Sequence, residues 1–186
     1  MNVDKAIQTR KSVKRFSEKK PDFRDIIEAI DAARFSPMAG NSYSLRFVLI
    51  DDVQIIQKLA EASQQDFVAN AKYVVVACTD VAKTLNAYED RGKRYLRQQA
   101  GAGMQNFLLK LNERGLATTW VGHFVDYLVK EAVGIPENIQ IEALFPIGYE
   151  RSRPVSTSKR KITLDRIIFF NKYNKKFMTK TKSINA

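Results

Sequence analysis

The chain is poor in the residues that carry most hydrolytic, thiol and metal chemistry. Among 186 residues it has one cysteine, Cys78, and one histidine, His123. A single cysteine permits no intrachain disulfide, and one histidine leaves no His/Cys set with zinc-ligand spacing. A hydrolytic triad would have to be built on that one imidazole. Long apolar runs are missing as well. The longest, Val74 to Cys78, falls far short of the ~20 residues that cross a bilayer. The opening Met1-Asn2-Val3-Asp4-Lys5 lacks the charged start and apolar stretch of a secretory signal. Two nucleotide signatures are also absent. Gly101 and Gly103 are followed by Asn106 where a dinucleotide fingerprint needs its third glycine, and no Gly-x4-Gly-Lys-Ser/Thr loop occurs. What remains is the expectation of a soluble, cytoplasmic protein with no metal-site signature. With 45% apolar and 27% charged residues it has enough for a sizeable core.

Positive charge is plentiful and unevenly placed. The formal net charge is +11, yet from Arg151 onward eleven basic residues face one acid, Asp165. Residues 1–150 are therefore nearly neutral. A basic C-terminal segment suits nucleic acid, an anionic cofactor, a partner's acidic face or simply solvent.

Periodicity outlines alternating helices and strands. Residues 3–15 read as a short helix leading into a basic turn, Arg10-Lys11-Ser12-Val13-Lys14-Arg15-Phe16. Phe23, Ile26, Ile27, Ile30 and Ala33 recur at helical spacing and stop near Ser36-Pro37. A loop at 38–44 precedes an apolar run from Phe47 to Ile50, and 53–62 reads as an amphipathic helix. Tyr73 to Thr79 is the clearest strand, rich in valine. The polar stretch 83–98 leaves a loop with a helical turn and a mobile helix both open. A helix is expected from Gln99 to Glu113, with Gly115 where a left-handed cap is wanted. Thr118–Val121 reads as a strand, Val125–Val133 as a helix ended by Gly134, and Ile139–Ile147 as a fourth strand. Such alternation gives a layered α+β or α/β domain.

The basic turn is the strongest local hint of chemistry. Arginine grips phosphate bidentately, and a neighbouring serine hydroxyl and backbone amides add donors. Lys159-Arg160-Lys161 could supply the same charge from far along the chain.

At this point the sequence resembles the FMN-dependent nitroreductase-like flavoproteins over roughly residues 3–170. Six segments occur in the family's order: the Arg10–Phe16 turn; Ala32-Ala33-Arg34-Phe35-Ser36-Pro37-Met38-Ala39-Gly40-Asn41; Gln99 to Leu116; Thr119-Trp120-Val121-Gly122; Gly134-Ile135-Pro136; and Ile147-Gly148-Tyr149. The resemblance implies an α+β fold with a central, mostly antiparallel sheet flanked by helices, in an intertwined homodimer with FMN at the subunit interface. It implies a flavin domain over 1–170 and a basic tail over 171–186. By the family's pattern, Arg10, Lys11, Ser12 and Lys14 hold the phosphate, ribityl chain and pyrimidine edge of non-covalent FMN. Gln65 lies at the flavin's polar edge, and the backbone of Gly122 and His123 reaches the N5 region. Lys159, Arg160 and Lys161 return to the phosphate, while Pro37, Met38, Ala39, Asn41 and Ser42 come from the other subunit.

The activity implied is ping-pong transfer of hydride from NAD(P)H, through flavin N5, to a nitroaromatic, quinone or similar small acceptor. No side chain is needed as catalyst, which agrees with the scarcity of histidine. The sequence departs from the family at three places. Met38 stands where a serine is common, Asn41-Ser42-Tyr43-Ser44-Leu45 replaces an Asn-x-Gln-Pro-Trp continuation, and Gln99 replaces an acid. The alternatives are a flavin-binding sensor or carrier without turnover, and a nucleic-acid binder using the basic C-terminal segment. The latter has only Phe169, Phe170, Tyr173 and Phe177 for a stacking platform.

Overall fold

The computed structural model describes residues 1–151 and 162–178. The chain divides into two units, Met1–Ser152 and Arg153–Ala186. In the first, local capping chemistry sets the helix starts. The Asn2 side chain accepts from the Lys5 amide to open α1 (Val3–Thr9), and Asp22 accepts from Arg24 to open α2 (Phe23–Ala33). Asp52 accepts from both Gln54 and Ile55 at the head of α3 (Val53–Ser63). These bonds satisfy amides that have no partner inside the helix. The long α4 (Ala82–Glu113) is broken once, at Glu89, and α5 (Asp126–Val133) ends on left-handed Gly134.

Four strands form one sheet, β1 (Leu45–Ile50), β2 (Tyr73–Asp80), β3 (Ala117–Thr118) and β4 (Ile139–Gly148), in the order β1-β2-β4-β3. Every neighbouring pair is antiparallel. β2 lies at the centre, and its valines serve both faces. Val74 and Val76 pack into a core with α3 and α5, whereas Val75 and Ala77 pack into a second core with α2 and α4. This two-sided burial explains an unbroken apolar run where a one-sided strand would alternate. On the α4 side, Phe107 sits 5.5 Å from the Phe47 ring and 5.2 Å from Phe145. The fold is an α+β arrangement with helices on both faces of an antiparallel sheet.

Of the two readings left open for 83–98, the structure gives the helix, which forms the first half of α4. One expectation needs correction. The strand expected over Thr118–Val121 is only Ala117–Thr118, after which the chain leaves the ladder and rejoins at a single Val121–Leu144 bridge. Trp120 lies within this interruption. Its indole packs edge-on against Phe145 at 5.5 Å while remaining 41% exposed.

In the second unit the described residues form a short 3₁₀ turn, Leu164–Arg166, and a local cluster. Phe169 lies 4.7 Å from Tyr173, the Lys176 ammonium sits 4.3 Å from the Phe169 ring centre, and Lys176 also donates to the Asp165 carbonyl.

Candidate functional site

The basic turn is held along the sheet edge. Arg10 ends α1, its amide donating to the Ala6 carbonyl at 3.1 Å as the backbone turns extended. Ser12 then pairs in parallel with Thr118, and the Val13 amide donates to the Thr118 carbonyl at 2.9 Å. Val13 and Phe16 anchor the segment from below, both buried in the α3–α5 core. Phe16 lies directly on Gly148, where an added methyl group would come 3.0 Å from the ring; that close approach explains glycine in β4. With its apolar residues turned inward, the segment leaves Arg10 half-buried and Lys11, Ser12 and Lys14 exposed. Lys11 pairs with Glu150 at 2.8 Å, whereas the Arg10 guanidinium makes no ion pair among the described residues. A small cavity of about 100 Å³ lies here, lined by Arg10, Lys11, Thr118 and Glu150 among others.

Two further predicted pieces converge on this edge. The Lys14 ammonium sits 5.0 Å from the centre of the Phe67 ring. Phe67 belongs to the 3₁₀ turn Asp66–Val68, which half-buried Gln65 precedes and opens. Beyond Thr118 the chain runs through Val121 to Gly122 and His123, both exposed. The Val125 amide donates to the Ala62 carbonyl at 2.9 Å, which ties this segment to the end of α3 just before Gln65. The amides of Gly122 and His123 donate to no acceptor among the described residues. The edge therefore collects cations, a hydroxyl, an amide side chain and free backbone donors, a donor set suited to an anionic, oxygen-rich ligand.

The loop Pro37–Ser42 lies elsewhere, between α2 and β1. Its 3₁₀ turn, Ala39–Asn41, carries left-handed Gly40 (φ 57°) and Asn41 (φ 53°). Gln99, 4% exposed, ties it to α4. The Gln99 side-chain carbonyl accepts from the Ala39 amide at 3.0 Å, and its amide donates to the Ser44 hydroxyl at 2.5 Å. Pro37, Met38 and Ala39 line a cavity of about 490 Å³ with Tyr88, Tyr95, Gln98, Gln99 and Ala102. Lys159, Arg160 and Lys161 lie outside the described residues.

The titratable core groups stand away from these surfaces. Burial pushes the Cys78 thiol up, so it is no poised thiolate. Burial likewise pushes the Glu142 carboxyl up, against the Thr79 hydroxyl and the Arg97 charge. Among the described residues there is no cluster of three or more metal-ligating side chains, and no helix is long and apolar enough to cross a membrane.

The nitroreductase family model matches residues 7–67 and 57–149. The chain belongs to the nitroreductase family. It is accordingly an oxidoreductase. It is 28% identical over 152 residues to an Archaeoglobus fulgidus protein whose name assigns it provisionally as an NADH dehydrogenase/NAD(P)H nitroreductase, covering 79% of this chain and 84% of that one. It is 24% identical to the iodotyrosine deiodinase of Thermotoga neapolitana, over 75% of this chain and 84% of the relative. Among solved structures, the NADPH:FMN oxidoreductase of Vibrio harveyi superposes with a TM-score of 0.81 at 19% identity, covering 94% of this chain and 79% of that one.

Sequence reasoning missed the pairing of Tyr88 with Tyr95, whose rings stand 5.2 Å apart, because the helix breaks at Glu89 between them and no helical spacing applies.

Proposed function

We propose that the chain binds FMN non-covalently as a homodimer and passes reducing equivalents from NAD(P)H to a small acceptor such as a nitroaromatic or quinone. The Ser12–Thr118 pairing carries this reading. It lays Arg10–Lys14 beside the strand that leads to Gly122 and His123, two segments about 110 positions apart in sequence.

The residues fit the cofactor. Arg10, without an ion pair among the described residues, offers a bidentate grip to a phosphate, and Lys11 and Ser12 add charge and a hydroxyl. With FMN bound, Lys14 would supply a cation favouring the reduced, anionic isoalloxazine, and Gln65 would offer an amide to its polar edge. The amides of Gly122 and His123, without acceptors among the described residues, would serve the ring's N5 side. FMN held there supplies two-electron transfer between NAD(P)H and the acceptor, so the protein's task is to bind and orient. The names of the Vibrio harveyi and Archaeoglobus fulgidus relatives support the same cofactor and reductant. Lys159, Arg160 and Lys161 complete the phosphate grip in this proposal, within a flavin domain over 1–170.

The homodimer is supported by what one chain leaves open. Val3 (70% exposed), Ile7, Phe23, Ile27 and Phe35 (71%) lie on α1, α2 and the turn after it. Met1, Val3, Phe35 and Leu109 line an apolar cavity of about 300 Å³ there. Apolar surface of this extent marks an interface. In this reading the Pro37–Ser42 loop comes to the flavin from the partner chain.

Titration of the apoprotein with FMN, followed by flavin fluorescence, tests the reading. Arg10→Ala removes a charge-assisted bond worth ~1.5–3 kcal/mol, which weakens FMN binding by roughly 10- to 150-fold. Equal affinity in the variant would remove Arg10 from the site, and no saturable binding by the wild type would remove FMN.

A further inference from the structure

The C-terminal unit combines one-signed charge with exposed apolar side chains. From Lys172 to Lys182 the sequence holds five lysines in eleven residues and no acid. Where this stretch begins, the backbone is tied into a knob. Asn171 (φ 63°) and Asn174 (φ 66°) both take left-handed turns, which asparagine adopts more readily than most side-chain-bearing residues. The Phe170 amide donates to the Lys175 carbonyl at 2.8 Å, and the Lys175 amide donates to the Lys172 carbonyl at 3.1 Å. Phe169 fills the knob, with the Tyr173 ring 4.7 Å away and the Lys176 ammonium 4.3 Å from its centre.

A chain tied in this way spends Phe169 on itself and turns other apolar groups to the outside. Tyr173 is 83% exposed and Phe177 82%, and Ile167 and Met178 are exposed as well. Exposed apolar groups gathered in one short segment mark a contact surface. The lysines decide the sign of its partner, which is anionic. The apolar groups decide its kind. A single-stranded nucleic acid needs open ring faces on which bases stack. Phe169 already has Tyr173 and Lys176 against it, while Ile167 and Met178 have no ring to offer. Aliphatic and aromatic groups among lysines match instead the boundary between phospholipid headgroups and acyl chains. Aromatic rings settle at headgroup depth, and a lysine's long stem lies along apolar surface while its ammonium reaches a phosphate.

We propose that residues 165–178, with the lysines that follow them in sequence, form a docking surface for an anionic phospholipid bilayer. The lysines pair with the headgroups, and Tyr173, Phe177 and Met178 enter the interface without crossing it. This surface stands apart from the basic turn at Arg10–Lys14, and the proposal does not depend on the flavin.

The test is co-sedimentation of the full chain with phosphatidylcholine vesicles containing about one-third phosphatidylserine, against phosphatidylcholine alone. The protein is expected to sediment with the anionic vesicles only, and less so as salt is raised. A lysine near an anionic surface strengthens binding about fivefold, so Lys172→Gln/Lys180→Gln/Lys182→Gln should weaken partitioning by roughly 100-fold. Phe177→Ser/Met178→Ser keeps the charge and the Phe169–Tyr173 contact, and should weaken it at least about tenfold. Circular dichroism checks that both variants keep the wild-type fold, and if one does not, the other carries the test. Equal binding to neutral vesicles, binding to neither, or anionic binding that the folded variants retain overturns the proposal. If the vesicles are not bound, a single-stranded RNA that the lysine variant alone releases would make nucleic acid the occupant. A fall in oligomeric state of Phe177→Ser/Met178→Ser, again without vesicle binding, would make it a second copy of the chain.

Discussion

Replacing Gln99 by leucine isolates the device that holds the Pro37–Ser42 loop. Gln99 is 4% exposed, and Ser44, one of its partners, is 3% exposed. Leucine fills nearly the same space but removes an acceptor 3.0 Å from the Ala39 amide and a donor 2.5 Å from the Ser44 hydroxyl. Each polar group left without a partner costs ~1–3 kcal/mol. The hydroxyl can rotate and the Ala39 amide is only partly buried, so the low half of that range applies to both. The sum is about 2–4 kcal/mol. For a chain of this size each kcal/mol lowers Tm by roughly 2–4 °C, giving a drop of about 4–16 °C. The assay is thermal unfolding followed by circular dichroism, wild type and variant at one protein concentration, since association shifts Tm. Proteolysis of the folded variant is expected to begin within 37–44. A Tm within 2 °C of the wild type would refute the reasoning, because it would mean that neither bond holds the loop.

Other predictions follow from separate features. Glu142 has a carboxyl oxygen that is buried without a hydrogen-bond partner, and burial raises its pKa above the ordinary value of 4.5. The folded state then holds this proton more tightly than the unfolded chain. The stability so gained is present below the unfolded value and lost as pH rises through the raised one. Glu142→Gln should therefore gain on the wild type in urea midpoint between pH 4 and pH 8, and a constant difference would contradict it. Phe35→Asp places a charge on the apolar face beside α1 and should convert the proposed dimer to monomer in analytical ultracentrifugation. A dimer of undiminished affinity would place the interface elsewhere.

Legibility differed by the range of the interaction. The Val74–Val76 strand and the helices capped by Asp22 and Asp52 were readable because their causes lie within a few residues. The basic turn was readable as a grip for anions, but its neighbour was not. Ser12 meets Thr118 through a pairing that no local pattern encodes. The family resemblance implied only that the basic turn and the Gly122–His123 segment serve one flavin; the pairing itself comes from the sheet geometry. The helical 83–98 stretch was obscured because the segment faces water on most sides and gives no apolar stripe. Glu89 in a glycine-like conformation (φ 47°, ψ −129°) is a choice of the folded whole, so the Tyr88–Tyr95 pair could be seen only in three dimensions. Gly92 was the one local clue, since glycine within a helix commonly marks a close approach.

The central claim is a reducible flavin held by this chain, and an absorbance spectrum of the freshly purified protein tests it most directly. The account predicts a flavin spectrum, present as purified or after FMN is supplied, that bleaches anaerobically on addition of NADH or NADPH. A protein that carries no flavin and takes none up would contradict the account, and bound flavin that neither nucleotide reduces would leave a flavin carrier in place of an enzyme.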